Sequence, residues 1–410
     1  MVASVDNKPR WPLVRLGDVC VFINGLWKGE KPPLQSVAVI RNANFEKDGS
    51  LDYSDVVTID VEVSKFSKRK LQYGDIILEK SGGGPNQPVG RVVLFEKTEG
   101  DYSFSNFTSA IRISNRSQLS FKYLHHFLRW VYSSGQTIQM QSNSTNIRNL
   151  DTDRYKDIPI PLPPLAEQQR IVARLDAAFA AIDEASAAAE ANLRNARALF
   201  DSYLDQVFSA RGDWQGNYVL NELCEFIVDC EHKTAPTELS GFPLIRTPNI
   251  GRNKLLLDQV YFVSKKTYDS WTRRAIPKAG DLILAREAPA GNVVVIPNNI
   301  DVCLGQRTVL IRPQKTQISS HFLAWLLLTT DMQHKLLAHS RGATVAHVNM
   351  KDIRSLLIGA LPDMTEQNKI TQQLSLAQSE CESLVHFYTR KLTLLAELKQ
   401  ALLAEEFGGV

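Results

Sequence analysis

The residues best placed to do chemistry lie in KFSKRKLQYGDIILEK, Lys65 to Lys80, where Asp75, Glu79 and Lys80 resemble the acid-and-lysine set of a metal-dependent nuclease. Their spacing does not fit that chemistry. A second copy of the stretch, WTRRAIPKAGDLILAR from Trp271 to Arg286, also carries Ala285 in place of Glu79. What is repeated is positive charge. Lys68, Arg69 and Lys70 precede Gly74-Asp75, and Arg273 and Arg274 precede Gly280-Asp281. Glycine supplies unusual backbone angles and aspartate bonds back to the chain, so each Gly-Asp reads as a tight turn. The apolar strand after each turn would deliver a cation, Lys80 or Arg286, to its far end.

Other polar sets point the same way. Ile40-Arg41 with Asn44, and Ile245-Arg246 with Asn249, close a short β-rich run in both copies. Arg and Asn there can contact bases or phosphates, or can cap the turn, and the pattern allows both. The loop SGGGPNQPVGRVV from Ser81 lacks the Gly-Lys-Ser/Thr ending of a phosphate loop and is no dinucleotide fingerprint. As a pliant segment it could enter a DNA groove with Asn86, Gln87 and Arg91, or be a mobile surface loop. Cys224, Cys230 and His232 lack the usual pairing of zinc ligands, and Leu26 and Lys28 stand at the places of the last two in the first copy. The stretch Asp229 to Pro236, with His232 and Lys233, reads instead as a recognition loop.

These blocks are held by a repeated element. PLPPLAEQQRIVARLDAAFAAIDEASAAAEANLRNARALFDSYLDQVF, Pro161 to Phe208, recurs 199 residues later: Leu162-Pro163 falls on Leu361-Pro362, Glu167-Gln168 on Glu366-Gln367, Ile171 on Ile370. Apolar residues at alternating three and four steps predict two long helices with a coiled-coil seam. The seam runs Ile171, Leu175, Ala178, Ile182, Ala185, Ala189, Asn192, Ala196, Leu199, Tyr203 and, in the second copy, Ile370, Leu374, Ala377, Cys381, Leu384, Tyr388, Lys391, Leu395, Leu398, Leu402. Asn192 and Lys391 are the matching polar positions, of the kind that sets register. A helix of about 40 residues extends roughly 60 Å at about 1.5 Å per residue. The second helix can repack along the first by running back antiparallel.

The expected architecture is α+β: two similar domains at 1–160 and 211–360, and long helices at 161–210 and 361–410. Net charge divides in the same way. The globular segments carry +4 and +5 and the helical segments −3 apiece. A basic excess in both globular parts on an acidic spacer suits two nucleic-acid-facing domains. Five scattered cysteines favour a reducing cytosol, and the run FLAWLLL from Phe322 is too short to span a bilayer. No methylation motif, glycine-rich cofactor loop or helicase phosphate loop is visible.

A duplicated LP-x-x-x-EQ-x-x-I helix behind a β-rich domain with a Gly-Asp strand turn resembles the specificity subunit of type I restriction-modification systems. The second copy departs in having Asp363-Met364 where the first has Pro164-Leu165. The resemblance implies two target recognition domains on antiparallel spacer helices, a bipartite asymmetric target in double-stranded DNA, and no cofactor in this chain. It further implies two modification subunits that bind S-adenosylmethionine, and restriction subunits that use ATP and Mg. The modification subunits would dock at the helix faces and junctions, at Pro163, Pro164, Glu167 and Gln168 and again at Pro362, Glu366 and Gln367. The expected location is cytoplasmic, from the scattered cysteines. The alternative is a non-catalytic coiled-coil dimerisation or scaffold protein that binds protein or RNA.

Overall fold

The computed structural model describes residues 11–84, 87–144, 147–210, 212–338 and 347–408. Contacts divide the chain into two units, Met1–Ala189 with Arg390–Val410, and Glu190–Thr389. The division cuts the long helices Leu165–Ser209 and Met364–Phe407 near their middles, so each unit holds one globular segment and half of each helix.

In the first unit, strands Cys20–Asn24, Thr108–Ile113, Ile76–Glu79 and Val92–Leu94 form an antiparallel sheet in that spatial order. A smaller sheet places Leu34–Ile40 between Val57–Glu62, antiparallel, and Tyr102–Phe104, parallel. The strand after the Gly-Asp turn is apolar throughout because both its faces are buried. Alternate side chains point opposite ways, so Ile76 and Leu78 enter a core with the helix Phe121–Ser133 while Ile77 packs with Ile40, Phe95 and Phe104.

The second unit repeats this topology. Its strand order is Cys224–Asp229, Thr308–Pro313, Leu282–Ala285, Val293–Val295, and the smaller sheet is Tyr261–Val263, Phe242–Ile245, Cys303–Leu304. Leu282 and Leu284 face one core and Ile283 the other. One detail breaks the repeat, which in sequence sets Leu16, Cys20, Phe22 and Ile23 against Leu220, Cys224, Phe226 and Ile227. A bulge between Cys224 and Phe226 inserts a residue, so Ile227, not Phe226, takes the place of Phe22, and Asp229 that of Asn24. A bulge sets two residues against one on the partner strand.

Both Gly-Asp turns form as expected, with Gly74 at φ +86 and Gly280 at φ +87. Each aspartate then does more than close its turn. Asp75 accepts from the Gln72 amide (2.8 Å) and binds Arg112 through both oxygens, at 2.9 and 2.7 Å. Asp281 accepts from Lys278 (2.8 Å) and binds Arg312 at 2.8 and 2.7 Å. Both carboxylates are buried, and forked pairing with arginine is what makes that burial tolerable.

The long helices bury against their own globular segments. In the first unit Ile171, Leu175, Phe179 and Ile182 share a core with Leu403 and Phe407. The Phe407 ring lies 5.5 Å from both Tyr123 and Phe127. Arg174 pairs with Glu406, and Lys399 with Asp183, so the helix halves here run antiparallel. In the second unit Ile370 and Leu374 share a core with Leu204, Phe208, Phe322 and Trp325. There the Cys381 thiol donates to the Ala196 carbonyl at 3.3 Å.

The expected seam is only partly buried. Ile171, Leu175, Ile182, Ala189, Ala196, Ile370 and Leu374 are inside, but Leu199 is 69% exposed and Leu384 44% exposed. Asn192 is exposed too, so it does not set register from within a seam. The buried stripe moves from Ala196 to Leu204 and Phe208, away from Leu199 and Tyr203. A straight helix drifts about 20° per heptad relative to a 3.5-residue repeat, and packing on a globular domain rewards following that drift.

Candidate nucleic-acid interface

In the first unit the cation set gathers where the strand Cys20–Asn24 ends. The turn at Gly74-Asp75 launches Ile76–Glu79, which sets Lys80 beside that end, and its ammonium donates to Asn24 Oδ1 at 2.9 Å. Arg69 Nε donates to the Asn24 carbonyl at 2.9 Å, and Ser109 Oγ lies 3.3 Å from Asn24 Oδ1. Partial burial holds the Lys80 ammonium below its ordinary pKa, because a desolvated cation is disfavoured. Lys68 is exposed with no ion pair or hydrogen bond among the described residues, and Lys70 is an exposed cation paired with Asp101 at 2.6 Å. Exposed pairs of this kind are worth little and exchange partners readily.

The second unit builds the same corner around a carboxylate. Asp229 stands where Asn24 does, and Arg274 Nη1 donates to its Oδ1 at 2.7 Å and to the Cys230 carbonyl at 3.1 Å. His232 Nε2 lies 2.9 Å from Asp229 Oδ2. Arg273 is exposed and donates to the Ser270 carbonyl at 3.0 Å. Lys233 is exposed and unpaired among the described residues. Arg307, held at φ +66, pairs with Glu287 at 2.9 Å. Arg69, Lys80, Arg274 and His232 are thus brought to corresponding corners of the two units.

Other expected contacts turn out to be framework. Asn44 is 1% exposed and Asn249 5%. Each accepts from the backbone N–H of its arginine, Arg41 or Arg246, at 2.9 and 3.1 Å, and donates to a loop carbonyl, of Asp55 or Leu256, at 3.1 Å. The Ile-Arg-x-x-Asn pattern is therefore a cap, and neither amide can reach a base. Arg91 is engaged by the buried Glu79, at 2.7 and 3.1 Å, and by the Asn42 and Phe45 carbonyls. Arg286 is 8% exposed, donates to the Val348 carbonyl at 2.9 Å and faces Asp229 at 3.5 Å, so it supports the corner from behind.

The glycine-rich loop begins as structure, since Ser81–Gly82 pairs with Ile147–Leu150 in a small sheet. Gln87 is exposed, and Asn86 lies outside the described residues. Arg41 and Arg246 remain half-buried at the edge, Arg246 with its guanidinium 4.2 Å from the Tyr261 ring. Cys224 and Cys230 belong to separate cores, with His232 outside on Asp229.

The junction residues divide as well. Gln168 is fully buried: its Oε1 accepts from the Ser120 amide at 2.8 Å and its Nε2 donates to the Gln118 and Pro163 carbonyls at 2.8 and 2.9 Å. Gln367 repeats this with Ser319, Gln317 and Pro362 at 2.8, 3.1 and 3.0 Å. Both are internal staples, unavailable to a partner. Pro164 is exposed, Glu167, Pro362 and Glu366 are half-buried, and Pro163 is buried. Sequence reasoning also missed Trp27 and Phe107, 72% and 41% exposed beside the Lys80 corner. An aromatic directly before Lys28 was the available signal.

Comparison with known proteins gives this geometry a context. The chain is 22% identical over 313 residues to the type I restriction enzyme EcoBI specificity subunit of Escherichia coli, covering 70% of this chain and 65% of that protein, so the match spans just under two thirds of that relative's length. It is 21% identical over 378 residues to the putative type I restriction enzyme MjaX specificity subunit of Methanocaldococcus jannaschii, covering 89% and 86%. Its fold matches a chain solved in a study of complex assembly and conformational transition of the type I R-M system, with TM-score 0.74, 22% identity and 98% of both chains covered. It also matches the HsdS subunit from Thermoanaerobacter tengcongensis, with TM-score 0.57, 21% identity and 97% of both chains covered. The family model described as the type I restriction modification DNA specificity domain matches twice, at residues 9–190 and 212–383, taking in both cation corners and both Gly-Asp turns. With each half of the duplication matched in turn, the chain belongs to that specificity-domain family.

Proposed function

We propose that this chain is the sequence-specific DNA-recognition subunit of a type I restriction-modification complex, reading a bipartite asymmetric target. One observation carries the reading: two units of one topology present matching cation corners whose central residues differ, Asn24 with Lys80 and Arg69 in one, Asp229 with Arg274 and His232 in the other. A shared frame with different side chains reads different sequence in the same way. A correct base pair is worth about 1–3 kcal/mol over a mismatch, too little for one small domain to single out a genomic site. Two linked readers succeed because engagement of one raises the effective concentration of the other.

Residues 1–160 and 211–360 act as the target recognition domains and 161–210 and 361–410 as the spacer. Two modification subunits dock on the exposed helix faces near Pro164, Glu167, Pro362 and Glu366, and restriction subunits join that core. Chemistry belongs to those partners, with S-adenosylmethionine in the modification subunits and ATP and Mg in the restriction subunits. The complex works in the cytoplasm, where its duplex substrate lies.

Mapping methylated adenines in cells that express the chain with its modification subunit, before and after exchange of residues 1–150 for another such domain, tests this. One half of the target should change and the other stay. An unchanged target after the exchange would refute the assignment.

A further inference from the structure

Beside the Lys80 corner of the first unit lies a cavity of about 320 Å³ that the cations leave unused. Trp27 and Phe107 form exposed aromatic walls, with Val39 and Ile59 below. Three residues of its lining each carry a polar atom that is buried without a hydrogen-bond partner: Arg41 Nε, Asn42 Oδ1 and Ser105 Oγ. Buried polar atoms are nearly always satisfied. These three, namely a donor, an acceptor and a hydroxyl that can be either, belong to residues around one open cavity, and a small shift of those side chains would turn them to a ligand with both kinds of edge. Aromatic walls with a few convergent polar groups suit a flat heterocycle, and the volume is at the small end of ligand sites, which begin at about 300 Å³.

The cavity is continuous with the cation corner. The Phe107 carbonyl accepts from the Lys80 and Ser81 amides at 3.0 and 3.1 Å, and Asn42 Nδ2 donates to the Ser81 carbonyl at 2.7 Å. In the second unit the same place is built differently. Gly305 stands for Ser105, each donating its amide to the strand before it, and Arg307 stands for Phe107. A Cβ on Gly305 would meet Arg246 Cγ at 2.6 Å, so Arg246 lies where the first unit carries the Ser105 side chain.

We propose that this cavity receives one nucleobase drawn out of the stack of the bound duplex, with Trp27 and Phe107 against its faces and Arg41, Asn42 and Ser105 on its edge. The proposal rests on the DNA-reading role above and adds to it a mode of readout found in one half of the target only. Extruding a base is costly, and least so where it is already mispaired. A mismatch at the extruded position therefore tightens binding, whereas elsewhere in a half-site it weakens it.

The test uses the full chain assembled with its modification subunits on duplexes carrying its mapped target, with a single mismatch moved through the half assigned to the first domain. One position should tighten by roughly tenfold in the wild type and not in Trp27→Ala or Ser105→Ala. A position tightened through the methyltransferase would persist in both variants. On matched DNA, Trp27→Ala should weaken binding by roughly five- to a hundredfold, the loss of one base–aromatic stack. Specific binding to matched duplex with no tightening that depends on Trp27 overturns the proposal. Absence of specific binding to matched duplex overturns the recognition role instead. Adenosine or thymidine monophosphate binding without DNA, through Trp27 and with no mismatch effect, would assign the cavity to a soluble nucleotide and also overturn it.

Discussion

Replacing Gln168 with alanine separates a staple from a docking residue. The side chain is fully buried and makes three hydrogen bonds, one from the Ser120 amide and two to the Gln118 and Pro163 carbonyls. Truncation orphans a buried N–H, which costs about 1–3 kcal/mol. It also leaves two carbonyls under-satisfied, a smaller penalty because each keeps a second lone pair. The expected loss is roughly 2–5 kcal/mol. For a unit of about 200 residues 1 kcal/mol moves the thermal midpoint by about 2–4 °C, so a fall on the order of 10 °C is expected, followed by circular dichroism on the full chain. Gln367→Ala should act equally, because its three bonds are the same. Below the transition both variants should still bind the modification subunit. Glu167→Ala, which removes a carboxylate paired with the exposed Arg170, should move the midpoint less than Gln168→Ala does. An unshifted midpoint for Gln168→Ala together with lost assembly would refute the reasoning and return Gln168 to the docking surface.

Three further outcomes follow from the same geometry. Asp229→Asn removes the carboxylate that holds Arg274 and should strengthen binding to all sequences at low salt, with the logarithmic salt slope steeper by about 0.9 if Arg274 gains one phosphate; an unchanged slope in fluorescence anisotropy would count against that corner as a DNA contact. Lys68→Ala and Arg273→Ala should each weaken binding regardless of sequence and make the slope shallower, leaving the methylated motif unchanged. His125 is enclosed, and burial first, then Arg129 and His126, hold its pKa well below 6.5. The fold therefore keeps it neutral while the unfolded chain takes up a proton, so stability present above pH 6.5 declines as pH falls below it; His125→Phe should flatten that decline in midpoints measured from pH 7.5 down to 5.

The duplication, the two long helices and both Gly-Asp turns were legible because each rests on local pattern: a fixed offset, an apolar period, a residue pair with special backbone demands. The partners of the turn aspartates were not legible. Arg112 and Arg312 lie more than thirty residues downstream of Asp75 and Asp281 and meet them only when the strands pair. The same limit explains Arg91 and Glu79, since only the antiparallel pairing of Ile76–Glu79 with Val92–Leu94 sets that acid beside that cation. The seam was overextended for a related reason. Heptad spacing cannot reveal that a globular core claims Leu204 and Phe208 in preference to Leu199 and Tyr203.

A duplicated chain carries its own internal control, and here it separates frame from reader. Positions whose side chains make the same bonds in both units are the ones burial dictates: Asp75 and Asp281 with their arginines, Asn44 and Asn249 in their caps, Gln168 and Gln367 at the helix starts. Motif repetition in the sequence had suggested some of these as contacts, yet repetition is what a shared scaffold produces. Among the places that differ at equivalent backbone positions are Asn24 and Asp229, Ser105 and Gly305, Phe107 and Arg307. They converge on one corner of each unit. Asn24 and Asp229 differ in charge, and the strand beneath Asp229 takes a bulge that the other lacks, yet the strand order, the turn and the staple stay the same, so that corner can diverge. The proposed reading of unlike half-sites by like domains calls for that separation, because a reader residue that also carried the core could not change without cost to stability.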